Sequence, residues 1–293
     1  MHAGETRIGG SLVRRLLAEQ FPRWARLPLS RVRSAGTVNA LFRLGDDMAV
    51  RLPRIADGSG DAVKEHAWLP RLAPVLPFPV PEVLGLGRPT ADYPWHWSVL
   101  RWLDGEPPVP GALTDARRLA ADLGEFVAAL RSVGLPDGPG AYRGTPLAAV
   151  DAETREAIGL LRGTVDTGAA TAAWEEALTA PVWTGAPRWL HSDLMPMNLL
   201  VRGGRLAAVL DFGTLGTGDP SCDFIPAWNL LPATARPVFR EAAGADDSGW
   251  TRGRGWALSM ALVQLPYYRA TNPVIAGNAE HVIREVLAEQ RVS

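Results

Sequence analysis

The stretch His191-Ser192-Asp193-Leu194-Met195-Pro196-Met197-Asn198, followed by Asp211-Phe212-Gly213, decides how the rest of the chain is read. Asn198 stands five residues after Asp193, and Asp211 thirteen after Asn198. Between them, Leu199-Leu200-Val201 and Leu206–Leu210 flank Gly203-Gly204, the pattern of strand, turn and strand. A hairpin of that length returns the chain, so Asp211 is expected beside Asn198. Phosphoryl transfer needs such a set. One carboxylate accepts the proton of an attacking hydroxyl, while an amide oxygen and a second carboxylate hold Mg²⁺ on the nucleotide phosphates. A lone His-x-Asp pair is common by chance. The full spacing, after a β-rich half and before a helical half, is not.

Upstream, Ile8, Leu12, Val13, Leu16 and Leu17 share one face of a predicted helix over Ile8–Gln20. Short β-like runs follow at Leu29–Arg33, Asn39–Leu44 and Met48–Leu52, with Gly45-Asp46-Asp47 as turn chemistry between the last two. Ser59–Leu72 has helical spacing. Pro74–Pro81 carries four prolines and is expected to be extended. Val83–Leu86 and Trp95–Arg101 complete a small, mostly antiparallel sheet with one inserted helix. Past Gly105-Glu106-Pro107-Pro108 the character turns helical. Thr114–Ser132, capped by Thr114 or Asp115, is predicted helical. So are Asp151–Leu161, Ala172–Leu178, Arg254–Arg269 and Ala279–Gln290, while Gly138–Gly144 reads as a loop. The expected fold class is α+β and bilobal. A nucleotide-binding lobe with its hinge spans residues 1–104, and a mainly helical lobe with catalytic loop, metal loop and acceptor site spans 105–293.

The 293 residues are 47% apolar and carry a formal net charge of −1. That balance argues against a nucleic-acid partner. The single cysteine, Cys222, excludes an intrachain disulfide. No signal-like leader and no apolar run near the roughly 20 residues needed to span a bilayer is present, so a cytoplasmic protein without a membrane partner is expected, as monomer or homodimer. Lys64 is the only lysine among 30 basic residues.

His191–Asn198 and Asp211–Gly213 resemble the catalytic and metal loops of aminoglycoside phosphotransferases, which share the protein-kinase-like fold. Gly218-Asp219-Pro220 with Asp223 follows the metal loop as in that family. Val32–Leu44 and Ala49-Val50-Arg51 resemble its nucleotide-covering hairpin and third strand. The resemblance covers about residues 10–290 and is best in the C-terminal half. It implies ATP and Mg²⁺. Asp193 would be the catalytic base or orient the acceptor hydroxyl, and Asn198 and Asp211 would bind the metal. His191 would brace the loop, and Asp219 and Asp223 would be structural. Arg51 stands where kinases carry lysine, and Glu65 would pair with it from the helix; an ordinary surface ion pair is the plainer alternative. Lys64 points about 100° away from Glu65 and is expected to face solvent. The covering loop, Ser34 to Asn39, holds one glycine, Gly36; its backbone and the Ser34 and Thr37 hydroxyls would contact phosphate. Ala49 would lie under adenine, and the backbone of Leu100, Arg101, Trp102 and Leu103 would read its edge. Core packing explains Ala49, Leu100 and Leu103 equally well.

The acceptor implied is an aminoglycoside-like antibiotic, with resistance as the role. A macrolide or another hydroxylated natural product is the alternative. Asp151, Glu153, Glu156, Glu175 and Glu176 would suit a polycation, although surface helices carry such charges routinely. Trp228, Trp256, Tyr267 and Tyr268 would line an apolar acceptor pocket or simply form core. Two other classes remain in view. An iron-binding His-x-Asp triad would need His281 as its second histidine. A nucleotide-binding module without turnover would suit the glycine-poor loop and Arg51.

Overall fold

Alternating apolar residues build the N-terminal sheet of this computed structural model, which describes residues 8–32 and 38–290. Ser34, Gly36 and Thr37 lie outside the described residues. Helix α1 (Gly10–Gln20) precedes strands β1 (Leu29–Val32), β2 (Asn39–Leu44) and β3 (Met48–Pro53). Helix α2 (Ser59–Leu72) follows, then β4 (Val83–Gly87) and β5 (Trp97–Arg101). The strand order is β1-β2-β3-β5-β4, with every neighbouring pair antiparallel. Leu12, Val13, Leu16 and Leu17 of α1 pack with Phe42, Leu44, Val50 and Val99 of the sheet in one core. Gly45 takes φ 60° in the β2–β3 turn, a conformation that favours glycine. At Gly87 a Cβ would overlap the Trp97 indole, so glycine there lets the buried tryptophan lie against the strand.

The proline-rich link departs from expectation at its start. Ala73–Val75 forms a 3₁₀ turn directly after α2 before the chain extends. Pro74 sits in the first positions of that turn, where its missing N–H costs nothing.

The rest of the chain is mainly helical. Helix α3 (Ala116–Arg131) is capped by Asp115, whose side chain accepts from Arg118 N at 3.0 Å. Helices α4 (Asp151–Leu160) and α5 (Thr167–Thr179) lead to strands β6 (Arg188–Leu190), β7 (Leu199–Arg202), β8 (Arg205–Val209) and β9 (Gly216–Gly218). β7 and β8 form a two-stranded hairpin. Its turn glycines, Gly203 and Gly204, both have positive φ, 57° and 76°, as such turns require. β9 pairs antiparallel with β6. Helices α6 (Pro226–Asn229), α7 (Arg236–Ala243), α8 (Asp247–Tyr268) and α9 (Pro273–Gln290) complete the chain.

Several helices begin earlier than periodicity suggests. Asp166 caps α5 through Ala169 N at 3.0 Å, extending it from the expected Ala172 back to Thr167. α8 starts at Asp247 rather than Arg254, with Asp246 as its cap. Gly249 and Gly253 disguise its first turns, but at Gly253, and at Gly255 within the expected span, a Cβ would press on Phe224 and Leu147 at 2.7 Å. These glycines are contact points, not breaks. α9 starts at Pro273 rather than Ala279; Asn272 Oδ1 accepts from Val274 N and Ile275 N, each at 3.2 Å. Proline is well suited to such a first position. Helix α7 has no counterpart in the sequence reading. Its span is short, and it ends on Gly244 at φ 58°, a left-handed cap.

The chain divides into two compact units. The first joins Met1–Gly105 to Ala208–Gly213, and the second joins Glu106–Ala207 to Thr214–Ser293. The Asp211-Phe212-Gly213 segment thus clusters with the N-terminal sheet, although it follows the β7–β8 hairpin in sequence. Among the described residues no helix is long and apolar enough to cross a membrane.

Candidate active site

Arg51 lies on β3, a strand buried along its whole length, which leaves its guanidinium few ways out. Nη1 donates to Glu65 Oε1 at 3.0 Å, and Nη2 pairs with Glu65 Oε2. The side chains of Arg51 and Glu65 are only 9% and 0% exposed. This is an enclosed, two-pronged pair rather than a surface one. Burial alone would lower the Arg51 pKa, but the charges of Glu65 and then Asp211 outweigh it and raise it. Glu65 Oε1 also accepts the Phe212 N–H at 2.9 Å, fixing the start of the 3₁₀ turn Phe212–Thr214.

Asp211 has φ 61°, uncommon for a non-glycine residue. Its Oδ1 lies 3.4 Å from Arg51 Nη1, and its side chain remains 44% exposed. Lys64 does not face solvent as expected: its Nζ donates to Gly213 O at 2.6 Å. A Cβ on Gly213 would overlap Asp61, so this segment approaches α2 closely enough for Lys64, one residue before Glu65, to reach it too. Asp61 is pushed up to about 6, first by burial and then by the charge of Asp211. Three carboxylates, Asp61, Glu65 and Asp211, therefore influence one another beside two cations, Arg51 and Lys64. That surplus of negative charge suits a divalent cation. Among the described residues no cluster of three or more His, Cys, Asp or Glu could hold a metal alone. Mg²⁺ does not ask for one, since it is commonly held by one or two carboxylates with waters and phosphate oxygens.

The predicted nucleotide edge is partly committed. Ala49 is buried and pairs with Leu100 across β3 and β5. The Arg101 N–H donates to Glu82 O at 2.9 Å and the Trp102 N–H to Asp47 O at 2.8 Å. Those two donors are satisfied within the chain. Among the described residues, the Leu103 N–H, just past β5, is not one of the groups so used.

In the second unit, β6 delivers the chain into the loop from His191 to Asn198. Ser192 takes φ 65°, and its strain is met by several bonds. The His191 and Ser192 N–H groups donate to the two carboxylate oxygens of buried Asp223, at 2.7 and 2.8 Å. Ser192 Oγ donates to Thr214 O at 2.8 Å, and Thr214 Oγ1 to His191 O at 2.8 Å. His191 Nδ1 accepts the Asp193 N–H at 3.2 Å. Asn198 Nδ2 then bridges Asp193 O at 2.9 Å and Asp193 Oδ2 at 3.0 Å, turning its amide oxygen away from that carboxylate. The remaining Asp193 oxygen, Oδ1, lies 3.1 Å from Arg143 Nη1, which also donates to Ser192 O at 3.0 Å. Asp193 is held on both sides and still 25% exposed. Arg143 was not found from the sequence. It lies in a glycine- and proline-rich loop fifty residues before Asp193, with no periodicity to mark it.

Asp219 caps the 3₁₀ turn Pro220–Phe224 through Ser221 N at 3.0 Å and pairs with buried Arg252 at 2.7 Å, a structural role. Of the acidic residues considered for the acceptor, Asp151 and Glu175 pair with Arg155, and Glu176 with Arg254. Trp228 and Trp256 are core, whereas Tyr267 is exposed. His281 lies on α9, not on a barrel strand, which removes the iron-triad geometry.

Asp223 offers a pH test. Burial, the largest influence, pushes its pKa up to about 6, against the opposing pull of His191 and the two N–H donors. A folded-state pKa above the unfolded value of about 4 means that ionising Asp223 opposes folding. Its contribution is most favourable below pH ~4 and is lost as pH rises to ~6. The difference in melting temperature between wild type and Asp223→Asn is therefore expected to shrink from pH ~4 to ~6.5. A difference constant over that range would show that Asp223 does not titrate there.

Comparisons with known proteins bear on the family and the fold. The model of a phosphotransferase enzyme family, APH, matches residues 30–256. No curated protein sequence matches the chain significantly. Among solved structures, the chain is similar to APH(2")-IIIa in its GDP and kanamycin complex, with TM-score 0.74, 20% identity, and 95% and 99% of the two chains covered. It is similar to a gentamicin complex of APH(2")-IIa, with TM-score 0.64, 16% identity and coverage of 96% and 99%. It is also similar to a macrolide 2'-phosphotransferase from Brachybacterium faecium, with TM-score 0.59, 22% identity and coverage of 93% and 97%. The fold is thus α+β and kinase-like.

Proposed function

The chain belongs to the phosphotransferase enzyme family, and we propose that it moves the γ-phosphoryl group of ATP onto a hydroxyl of a small molecule. The observation that carries this reading is Asp193: a carboxylate fixed by Asn198 and Arg143, yet open to an incoming group. Asp193 takes the acceptor hydroxyl as a hydrogen-bond partner and accepts its proton as the new ester bond forms. In loose phosphoryl-transfer transition states positioning matters more than basicity, which a tightly held carboxylate provides.

In the first unit, Arg51 grips nucleotide phosphate oxygens while Glu65 holds its side chain. The Leu103 N–H, which has no backbone partner among the described residues, would read the adenine edge, with Ala49 leaving room for the ring. Asp211, with the amide oxygen of Asn198, would hold Mg²⁺; the ion neutralises phosphate charge when bound. Asp211→Ala is expected to weaken Mg²⁺-dependent nucleotide binding, and Asn198→Ala to do so less, because a carboxylate offers a full charge and an amide only a dipole. Calorimetry with and without Mg²⁺ measures both. An Mg²⁺ dependence in Asp211→Ala equal to that of wild type would remove Asp211 from this role.

The finer acceptor reading is an aminoglycoside-like antibiotic, with a macrolide or other hydroxylated natural product as the alternative. An ATP-consumption screen across aminoglycosides, macrolides, peptide antibiotics and simple amino alcohols tests the function. Acceptor-stimulated ADP release supports it; ATP binding without turnover across the whole panel contradicts it and favours a module without turnover.

A further inference from the structure

We propose that the acceptor is a neutral or anionic hydroxyl compound and that Arg143 is the residue that sets this preference. The inference rests on the phosphotransferase reading and, of its two acceptor classes, favours the hydroxylated natural product over the polycationic aminoglycoside.

Two observations within the second unit carry it. First, the carboxylate assigned to the acceptor is already neutralised. Arg143 Nη1 lies 3.1 Å from Asp193 Oδ1, with the two side chains only 20% and 25% exposed. Pairing at that distance cancels the attraction that Asp193 alone would offer an ammonium group approaching the same hydroxyl site. Arg143 is not a mobile surface side chain. It donates to Ser192 O at 3.0 Å and lies over the Tyr142 ring at 4.8 Å. Tyr142 is itself 71% exposed, an open aromatic face suited to a sugar or other ring next to the cation.

Second, three of the five acidic residues that would suit a polycation, Asp151, Glu175 and Glu176, are paired with arginines. Asp151 accepts from Arg155 Nε at 2.8 Å and from Trp174 Nε1 at 2.7 Å. Glu175 pairs with the same arginine at 3.4 Å, and Glu176 with Arg254 at 2.5 Å. Recruiting them for a ligand would leave an arginine without its partner, and Arg254 is only 9% exposed.

The test uses full-length protein with Mg·ATP and three hexoses that differ in charge: glucose, glucosamine and glucuronate. ADP release is measured for wild type, Arg143→Gln and Arg143→Lys. The expected kcat/KM order for wild type is glucuronate and glucose above glucosamine. Arg143→Gln lowers all rates, and also shifts the glucosamine-to-glucuronate ratio upward by about tenfold, the effect of roughly one charge contact. Arg143→Lys keeps the wild-type ratio. A purely structural role for Arg143 would lower the three rates together and leave the ratio unmoved, which would overturn the proposal. Where hexose turnover does not rise above hydrolysis, calorimetry of kanamycin with the Mg·ADP-loaded protein decides. Binding tighter than about 100 µM overturns the proposal, whereas weaker binding that tightens in Arg143→Gln upholds it. Kanamycin affinity that is weak and the same in wild type and Arg143→Gln also overturns it. Failure to consume ATP with any acceptor or with water sinks the phosphotransferase reading itself, a result distinct from a wrong charge preference.

Discussion

Asp193→Ala is expected to lower kcat by roughly 10²–10⁴-fold while nucleotide affinity stays nearly intact. The size follows from removing a positioned proton acceptor from the transition state. The selectivity follows from geometry. The Asp193 partners are Asn198, His191 and Arg143, all in the second unit. The groups assigned to the phosphates, Arg51 and Asp211, belong to the first. Removing the carboxylate leaves Arg143 facing an empty position, so a structural cost is expected too. Asp193→Asn keeps the shape and the Asn198 neighbourhood and is the cleaner variant. Both should bind Mg·ATP within about threefold of wild type, and either retaining more than about a tenth of the wild-type rate would remove Asp193 from the chemistry.

Arg51→Ala is expected to cut kcat/KM for ATP by about 10²-fold, and Glu65→Ala by a similar factor. Truncating one member of a buried ion pair strands the other, at a cost of roughly 3–5 kcal/mol spread between stability and function. Arg51 and Glu65 are that kind of pair, joined by two contacts in a nearly solvent-free position. Glu65 also holds the Phe212 N–H, so its loss releases the segment that carries Asp211. The double variant should be little worse than Arg51→Ala, since the two act as one unit. Near-UV circular dichroism separates loss of fold from loss of phosphate grip. Arg51→Lys is the sharper substitution. Lysine keeps the charge but cannot bridge both Glu65 oxygens and also reach Asp211. A pocket built around guanidinium should be clearly impaired by lysine. Full activity of Arg51→Lys would mean that charge alone matters, and full activity of Arg51→Ala would void the assignment.

Much of the fold was legible because its signals are local. The β7–β8 hairpin announces itself through Gly203-Gly204, and both glycines take the left-handed conformation. Helix α2 has the expected limits, Ser59–Leu72. Asn198 reaches Asp193 across five residues, a distance that a loop motif fixes by itself. The misreadings share another cause: contacts that no local pattern encodes. Gly249 and Gly253 fall before the expected start of α8 at Arg254, and only their close approach to Phe224 shows why the helix runs through them. Lys64 reads as solvent-facing by helix geometry alone, but the Gly213 carbonyl comes to it. Arg143 carries no motif, and its role exists only because the loop around it folds back onto Ser192 and Asp193.

Transfer of label from γ-phosphate-labelled ATP to a hydroxyl acceptor, followed in parallel with wild type and Asp193→Asn, tests the central claim most directly. The expected result is a phosphorylated acceptor formed in step with ADP by wild type, and product reduced by roughly 10²-fold or more in the variant at saturating Mg·ATP. Label released only as inorganic phosphate across all acceptors, or equal transfer by the two proteins, would contradict it.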